Sequence, residues 1–274
     1  MNLNAYLKQR QTLINRALER YLPPPHSVPG RIHEAMRYSV LGEGKRIRPI
    51  LALAACEAAG GTVSRALHAA CALEMIHAYS LVHDDLPAMD DDDFRRGRPS
   101  CHKKFGEAVG VLTGDALLTY AFELLTRGNH SAASVHLQVI SEIAQAIGTE
   151  GMIGGQVADI QAAGAKVTAG EVEAINRRKT GALIAASVRV GALLGGASSA
   201  AYRHFSRYGQ RIGLVFQLVD DLLDQDGMVR CGSEPAIRRR AQDLTRRAVQ
   251  DLKPFGRRAE PLRMLAGFLL TRGS

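Results

Sequence analysis

Residues 71–98 read CALEMIHAYSLVHDDLPAMDDDDFRRGR, an apolar run that empties into six aspartates within ten positions and then into Arg95, Arg96 and Arg98. His77, Leu81 and Asp84 or Asp85 fall on one side of a helix, because positions four and seven or eight apart return to the same face. The acids therefore stand at a helix end, where Leu86-Pro87 breaks the chain. Like charges this dense repel, so the segment is either fully solvated or met by a counter-charge. Asp90 follows one turn later and can point back at Asp84 and Asp85. Three such carboxylates make a hard-oxygen cluster suited to Mg²⁺, which combines one or two carboxylates with water and phosphate oxygens.

The same helical period extends in both directions. Residues 3 to 21 carry apolar side chains at mixed three and four spacings, and PPPHSVPG breaks the pattern between Pro23 and Gly30. A helix is expected from about Ile32 to Gly42, and another from Arg48-Pro49, with Pro in a permitted first-turn position, to Gly60-Gly61. Others are expected from about Ser64 into the acidic segment, then at 105–127, 132–163, 169–195, 199–225, 236–252 and 260–271. Val, Ile and Thr do not alternate at period two, so no strands are expected. The fold class expected is all-α, one domain over residues 1–274, with about ten or more helices.

Composition narrows the functions. The chain has 274 residues, 46% hydrophobic and 23% charged, which is globular composition rather than disordered or membrane-embedded. No apolar stretch is expected to reach the roughly 20 residues of a membrane span, and MNLNAYLKQRQ lacks the apolar core of a signal peptide. Cys56, Cys71, Cys101 and Cys231 lie far apart without CxxC spacing, so neither a zinc site nor a disulfide framework is suggested and a reducing cytoplasm is the expected location. The net charge is +8. Nucleic acid is not the expected partner, for want of a motif and of aromatic residues to stack bases. An anionic small substrate ranks ahead of it, and the Arg-rich stretch from Arg238 to Arg258 reads as a solvated basic face.

A second acidic cluster occurs at FQLVDDLLDQDG. Asp220 and Asp224 are four apart on one helix face, with Gln217 a turn earlier and Asp221 beside them. Acids among Leu214, Val215, Phe216, Leu218, Leu222 and Leu223 are costly without a cation. Two clusters, each ending an apolar helix, suggest a pair of metal clamps. Cations stand near them in sequence: Arg95 and Arg96 after the first, Lys45 and Arg48 at the helix start in GKRIRP, and Lys179 in RRKTG. Backbone N–H groups at a helix start also favour phosphate. The GK dipeptide is not a P-loop, because the GxxxxGK[ST] spacing is missing.

LGEGKRIRP, EMIHAYSLVHDDLPAMDDDDFRRGRPSCHKKFG, VLTGDALL, GMIGGQVADI, RRKTGALI and GLVFQLVDDLLD together resemble the trans (E)-polyprenyl diphosphate synthases, with the nearest likeness to bacterial farnesyl diphosphate synthases. The resemblance covers residues 1 to about 225 in order. It implies a helical bundle around a deep central cavity, with the acidic motifs facing each other across its mouth. Three Mg²⁺ ions would join Asp84, Asp85 and Asp90, and Asp220, Asp221 and Asp224, to the diphosphate of an allylic substrate. Arg95, Lys179, Thr180 and Gln217 would assist there. Lys45, Arg48, His77 and Arg96 would hold isopentenyl diphosphate.

Ionisation of the allylic C–O bond, attack by the double bond of isopentenyl diphosphate and proton loss to the released diphosphate would follow. Asp84, Asp85, Lys179, Thr180, Gln217 and Asp220 are the expected catalytic set. Tyr79, with Ser80 beside it, is the expected chain-length determinant. It lies five residues before Asp84, roughly 7.5 Å along a helix, and the resemblance makes a bulky ring there the floor that stops growth near fifteen carbons. One departure stands out after Asp224. The usual Lys-containing loop is shortened to QDGMVRCGSEPAIRRRAQ, leaving Arg230 the nearby candidate for a substitute. This keeps a noncatalytic regulatory subunit as an alternative, alongside geranyl or geranylgeranyl synthesis. A terpene cyclase would carry an Asn/Ser/Glu motif in place of DDLLD. The resemblance also implies a homodimer, for which 105–127 offers an Ala-rich helical surface.

Overall fold

The structure, a computed structural model, describes residues 2–128 and 132–272. Thirteen α-helices follow one another among them: α1 (Leu3–Tyr21), α2 (Gly30–Leu41), α3 (Ile47–Ala59), α4 (Val63–Asp84), α5 (Cys101–Phe105), α6 (Glu107–Thr126), α7 (Ala133–Ile147), α8 (Met152–Ala162), α9 (Ala169–Asn176), α10 (Ala182–Leu194), α11 (Ser199–Asp224), α12 (Glu234–Asp251) and α13 (Glu260–Thr271). The all-α class is as expected.

Three expected helices are interrupted. The stretch 132–163 divides into α7 and α8, with Gly148 and Gly151 bracketing the break. The stretch 105–127 is preceded by the short α5, which Gly106 separates from α6 at a φ of 92°. The stretch 169–195 contains a π-turn, Arg177–Gly181, between α9 and α10. A two-residue ribbon, β1 (Phe94–Arg95) antiparallel to β2 (Arg98–Pro99), departs from the expectation of no strands. Its turn residues Arg96 and Gly97 both have positive φ, 54° and 72°, as a type I′ hairpin requires. Pattern alone misses so short a ribbon, because two residues cannot alternate.

Cα proximity divides the chain into two compact units. One holds residues 4–50 and 67–130. Within it α6 packs on α2 and α5, and Tyr120 donates to the Tyr21 carbonyl at 2.6 Å. The helix α6 is long and apolar enough to cross a membrane by length and composition, with mean hydropathy 1.4 and 39% of that stretch buried. This corrects the expectation that no stretch would reach that length. Gly110, Gly114, Leu117, Ala121 and Leu124 form its buried face, so part of its apolarity serves packing.

The other unit holds residues 1–3, 51–66 and 131–274. Here α10 is buried almost all round, from Leu183 to Leu194, which explains its near-continuous apolar sequence. It packs along α7 and α11. The amphipathic α11 lays Leu214, Leu218 and Leu222 against Val172, Met228, Ile237 and Ala241. A side chain of that size contributes roughly 1.5–3 kcal/mol when fully buried. Tyr208, fully buried, donates to the Leu262 carbonyl at 2.7 Å and fastens α13.

Candidate active site

The first acidic motif begins where α4 stops. Backbone N–H groups fold the next residues back: Met89 donates to Leu86 at 2.8 Å and Asp91 to Leu86 at 3.1 Å. Asp90 donates to the Asp84 carbonyl at 2.9 Å, closing the loop. The main chain of Asp90 is therefore held against that of Asp84. Asp85 behaves differently. It is only 2% exposed, and Arg95 holds it through Nε at 2.8 Å and through Nη2, the latter also reaching Asp92 at 2.8 Å. Burial pushes the Asp85 carboxyl up, and the Arg95 hydrogen bond opposes the shift. Arg95, expected as a diphosphate ligand, is thus engaged with two carboxylates inside the motif.

A pocket beside this motif is lined by His77, Asp85, Arg46, Arg95, Arg96 and Arg98 among others. It gathers four expected residues, His77, Asp85, Arg95 and Arg96; Lys45 and Arg48 are not among its lining residues. Arg96 donates to the Glu43 carbonyl at 2.6 Å, beside GKRIRP. The Arg46 of that motif is a lock: it bonds Glu74 at 2.7 Å, Asn15 at 2.9 Å and the Gly42 carbonyl at 2.7 Å. Burial, and then Arg48, Arg96, Arg46 and Arg95, push the His77 imidazole well below its usual value. A neutral ring keeps one acceptor nitrogen.

Tyr79 is 5% exposed, edge-on to His83 at 5.8 Å between ring centroids. Its hydroxyl is buried without a hydrogen-bond partner among the described residues. Burial, with Asp84 nearby, pushes the phenol up to about 12. Ser80 turns its hydroxyl back to the His77 carbonyl at 3.0 Å. Sequence reasoning missed a neighbouring group, Asp91, Asp93 and His102, whose ligand atoms lie within 4.8 Å of one another. There Lys103 already pairs with Asp93 at 2.7 Å.

The second motif lies at the C-terminal end of α11. Asp221 is buried and its oxygens are taken: Gln217 donates at 2.8 Å, Asn176 at 3.1 Å and the Met228 N–H at 3.0 Å. This arrangement sets Asp221 apart from the face that Asp220 and Asp224 share, since a 100° step per residue turns it away. It also gives Gln217 a protein partner. Asp220 is half-buried and paired with Arg272 at 2.6 Å, while Asp224 is exposed. Burial pushes the Asp220 and Asp221 carboxyls up, with Arg272 opposing it at Asp220 and Gln217 at Asp221. Arg230, the candidate for a missing lysine, is 74% exposed and bonded to Asp226 at 2.7 Å.

Lys179 and Thr180 ride on the π-turn, a feature that recurs at functional sites. Two neighbours grip that turn closely. A Cβ on Gly155 of α8 would stand 2.2 Å from the Lys179 nitrogen, and one on Gly213 of α11 would stand 2.9 Å from the Gly181 Cα. Only glycine allows such an approach, which accounts for the glycine in GGQ. Lys179 bonds Asp159 at 2.6 Å. Asp159, Asn176 and Arg272 were not singled out from sequence; Asp159 lies inside the quoted GGQVADI, whereas Arg272 carries no local signal.

The polyprenyl synthetase family model matches residues 29–238. The chain belongs to that family. It is 42% identical over 295 residues to the chloroplastic geranylgeranyl pyrophosphate synthase of Capsicum annuum, covering 99% of this chain and 79% of the relative. It is 44% identical over 229 residues to the farnesyl diphosphate synthase of Geobacillus stearothermophilus, covering 83% and 77%. An apo crystal structure of a Zymomonas mobilis FPP/GFPP synthase superposes with a TM-score of 0.93 at 38% identity, covering 98% of this chain and 99% of that one. The protein is therefore a prenyltransferase of the short-chain prenyl diphosphate synthase class, with an isoprenoid synthase fold. Such synthases use isopentenyl diphosphate and an allylic diphosphate, and the family is magnesium-dependent in general. The donors fit that ion: all are carboxylate oxygens, and Asp84, Asp90, Asp220 and Asp224 retain at least partial solvent access.

Proposed function

We propose that this polyprenyl synthetase condenses isopentenyl diphosphate with dimethylallyl and then geranyl diphosphate, and that farnesyl diphosphate is its main product. The observation that carries the reading is the closure of Asp90 onto Asp84 next to a pocket rich in arginine and containing a neutral His77.

Asp84, Asp90, Asp220 and Asp224 would hold the three magnesium ions, while Asp85 and Asp221 keep the two motifs in shape through Arg95 and through Gln217, Asn176 and Met228. Bound magnesium supplies positive charge that stabilises the departing diphosphate. Lys179 adds a cation to the same leaving group, and the Thr180 hydroxyl and Gln217 carbonyl present dipoles to the allylic cation. Arg96 and His77, with Lys45 and Arg48, bind the diphosphate of isopentenyl diphosphate. Proton loss from the condensed product goes to the released diphosphate.

The buried ring of Tyr79 supports a fifteen-carbon limit. The two curated relatives above are named a geranylgeranyl and a farnesyl synthase, and the solved neighbour an FPP/GFPP synthase, so a twenty-carbon product is the second reading. The single catalytic unit is residues 1–274, shortened after Asp224, acting as a homodimer. The exposed Val111 and Leu112 of α6 support a helical interface. The free cysteines, three of them buried, support a reducing cytoplasm.

The test is a product assay. Purified protein, Mg²⁺ and labelled isopentenyl diphosphate are given dimethylallyl or geranyl diphosphate, and dephosphorylated products are sized by chromatography. A fifteen-carbon product that is lost in Asp84→Ala supports the proposal. Twenty-carbon product retains the enzyme class and removes the farnesyl assignment. Folded protein without product from any primer makes the regulatory subunit the better account.

A further inference from the structure

Arg272 lies near the end of the described chain, yet its side chain is only 8% exposed. One nitrogen, Nη2, donates both to Asp220 Oδ1 and to the Phe216 carbonyl, each at 2.6 Å. The guanidinium stacks 3.5 Å from the centroid of the Phe216 ring. Its Nε is buried and has no hydrogen-bond partner among the described residues. A guanidinium offers five N–H donors in a rigid fork that matches carboxylate and phosphate oxygens, so an unmatched buried donor beside an acidic motif points to an anionic ligand.

We propose that Arg272 is the resident counter-ion of Asp220 and becomes a diphosphate ligand when metal and substrate bind. The proposal rests on the reading of Asp220 as a metal ligand. A dication and a guanidinium on the same carboxylate repel each other, so Arg272 opposes metal at Asp220 while no diphosphate is present. A diphosphate reverses the sign by offering oxygens to both cations, and the orphaned Nε then gains an acceptor. Arg272 acts from the extended residue that follows α13 and so requires no lysine from the shortened stretch after Asp224.

The consequence is a pair of opposite effects that a purely structural residue would not produce. Mn²⁺ serves as a spin-visible probe for magnesium, with free ion counted by electron paramagnetic resonance. Inorganic pyrophosphate binding is measured by calorimetry at saturating Mg²⁺. In Arg272→Gln, Mn²⁺ alone should bind roughly three- to tenfold more tightly, the factor expected on removing a competing ion pair of modest strength, and pyrophosphate should bind about tenfold more weakly. Arg272→Lys, which keeps the charge, should restore the Mn²⁺ affinity to the wild-type value. Unchanged affinities, or both weakened together, would overturn the proposal, and the second pattern would make Arg272 a packing residue. Asp220→Asn separates the two levels: if it binds Mn²⁺ as the wild type does, the metal reading of Asp220 itself fails; if it loses an ion while Arg272→Gln changes nothing, only the role of Arg272 fails.

Discussion

The Lys179 ammonium lies 2.6 Å from the Asp159 carboxylate, one group on the π-turn and the other on α8. Lys179 is thus held in a fixed direction, half-buried, and on the proposed reading it faces a leaving group that needs a cation. Lys179→Met should lower kcat/KM for the allylic substrate by about 10²-fold or more, the scale of losing one preorganised charge or donor. Asp159→Asn, which alters only the orientation of Lys179, should cost less. Steady-state kinetics on both variants checks the order.

Gly155 gives α8 its approach to that turn. A methyl group 2.2 Å from the Lys179 nitrogen meets backbone that cannot swing aside. Gly155→Ala should destabilise the protein by about 1–3 kcal/mol, as overpacking does, and should lower activity in the protein that still folds. Urea denaturation and kinetics on the same preparation test it.

Arg46 and Glu74 form a buried pair, with side chains 2% and 4% exposed. Removing one charge strands the other. Glu74→Gln should cost about 3 kcal/mol or more, read as a lower urea midpoint at unchanged m-value.

His77 has a native pKa held well below 6.5. Below pH 6.5 the unfolded chain takes up a proton that the native ring refuses, so stability rises with pH in that window and this residue has no effect above it. Acidification from pH 7.5 to 5.5 should cost the wild type about 1.4 kcal/mol more than His77→Gln, the value of one pH unit. Urea unfolding of both proteins at the two pH values measures the difference.

Tyr79 fills buried space near Asp84. Tyr79→Ala should lengthen the product beyond fifteen carbons at a stability cost of about 3–5 kcal/mol, in line with truncating a large buried aromatic. Product sizing and thermal denaturation read the two effects separately. A shortened or unchanged product in folded variant would place the limit elsewhere.

Helices and motif spacings were legible in the residues because both are short-range. A 3.6-residue period, a Pro or Gly stop and two acids four apart are complete within one or two turns, and the loop that returns Asp90 to Asp84 spans only six positions. The ends of α1 and the extent of α11 follow from such signals. The π-turn at Lys179 was not legible, since it depends on α8 and α11 closing on it through Gly155 and Gly213. The division of labour among the aspartates was not legible either. Asp221 is claimed by Asn176 from 45 positions away, and Arg272 reaches the Phe216 carbonyl across 56. Composition places an acid on a helix face; which cation or N–H group neutralises it is settled by long-range packing, because a charge answers to whatever lies within a few ångströms and not to its neighbours in the chain.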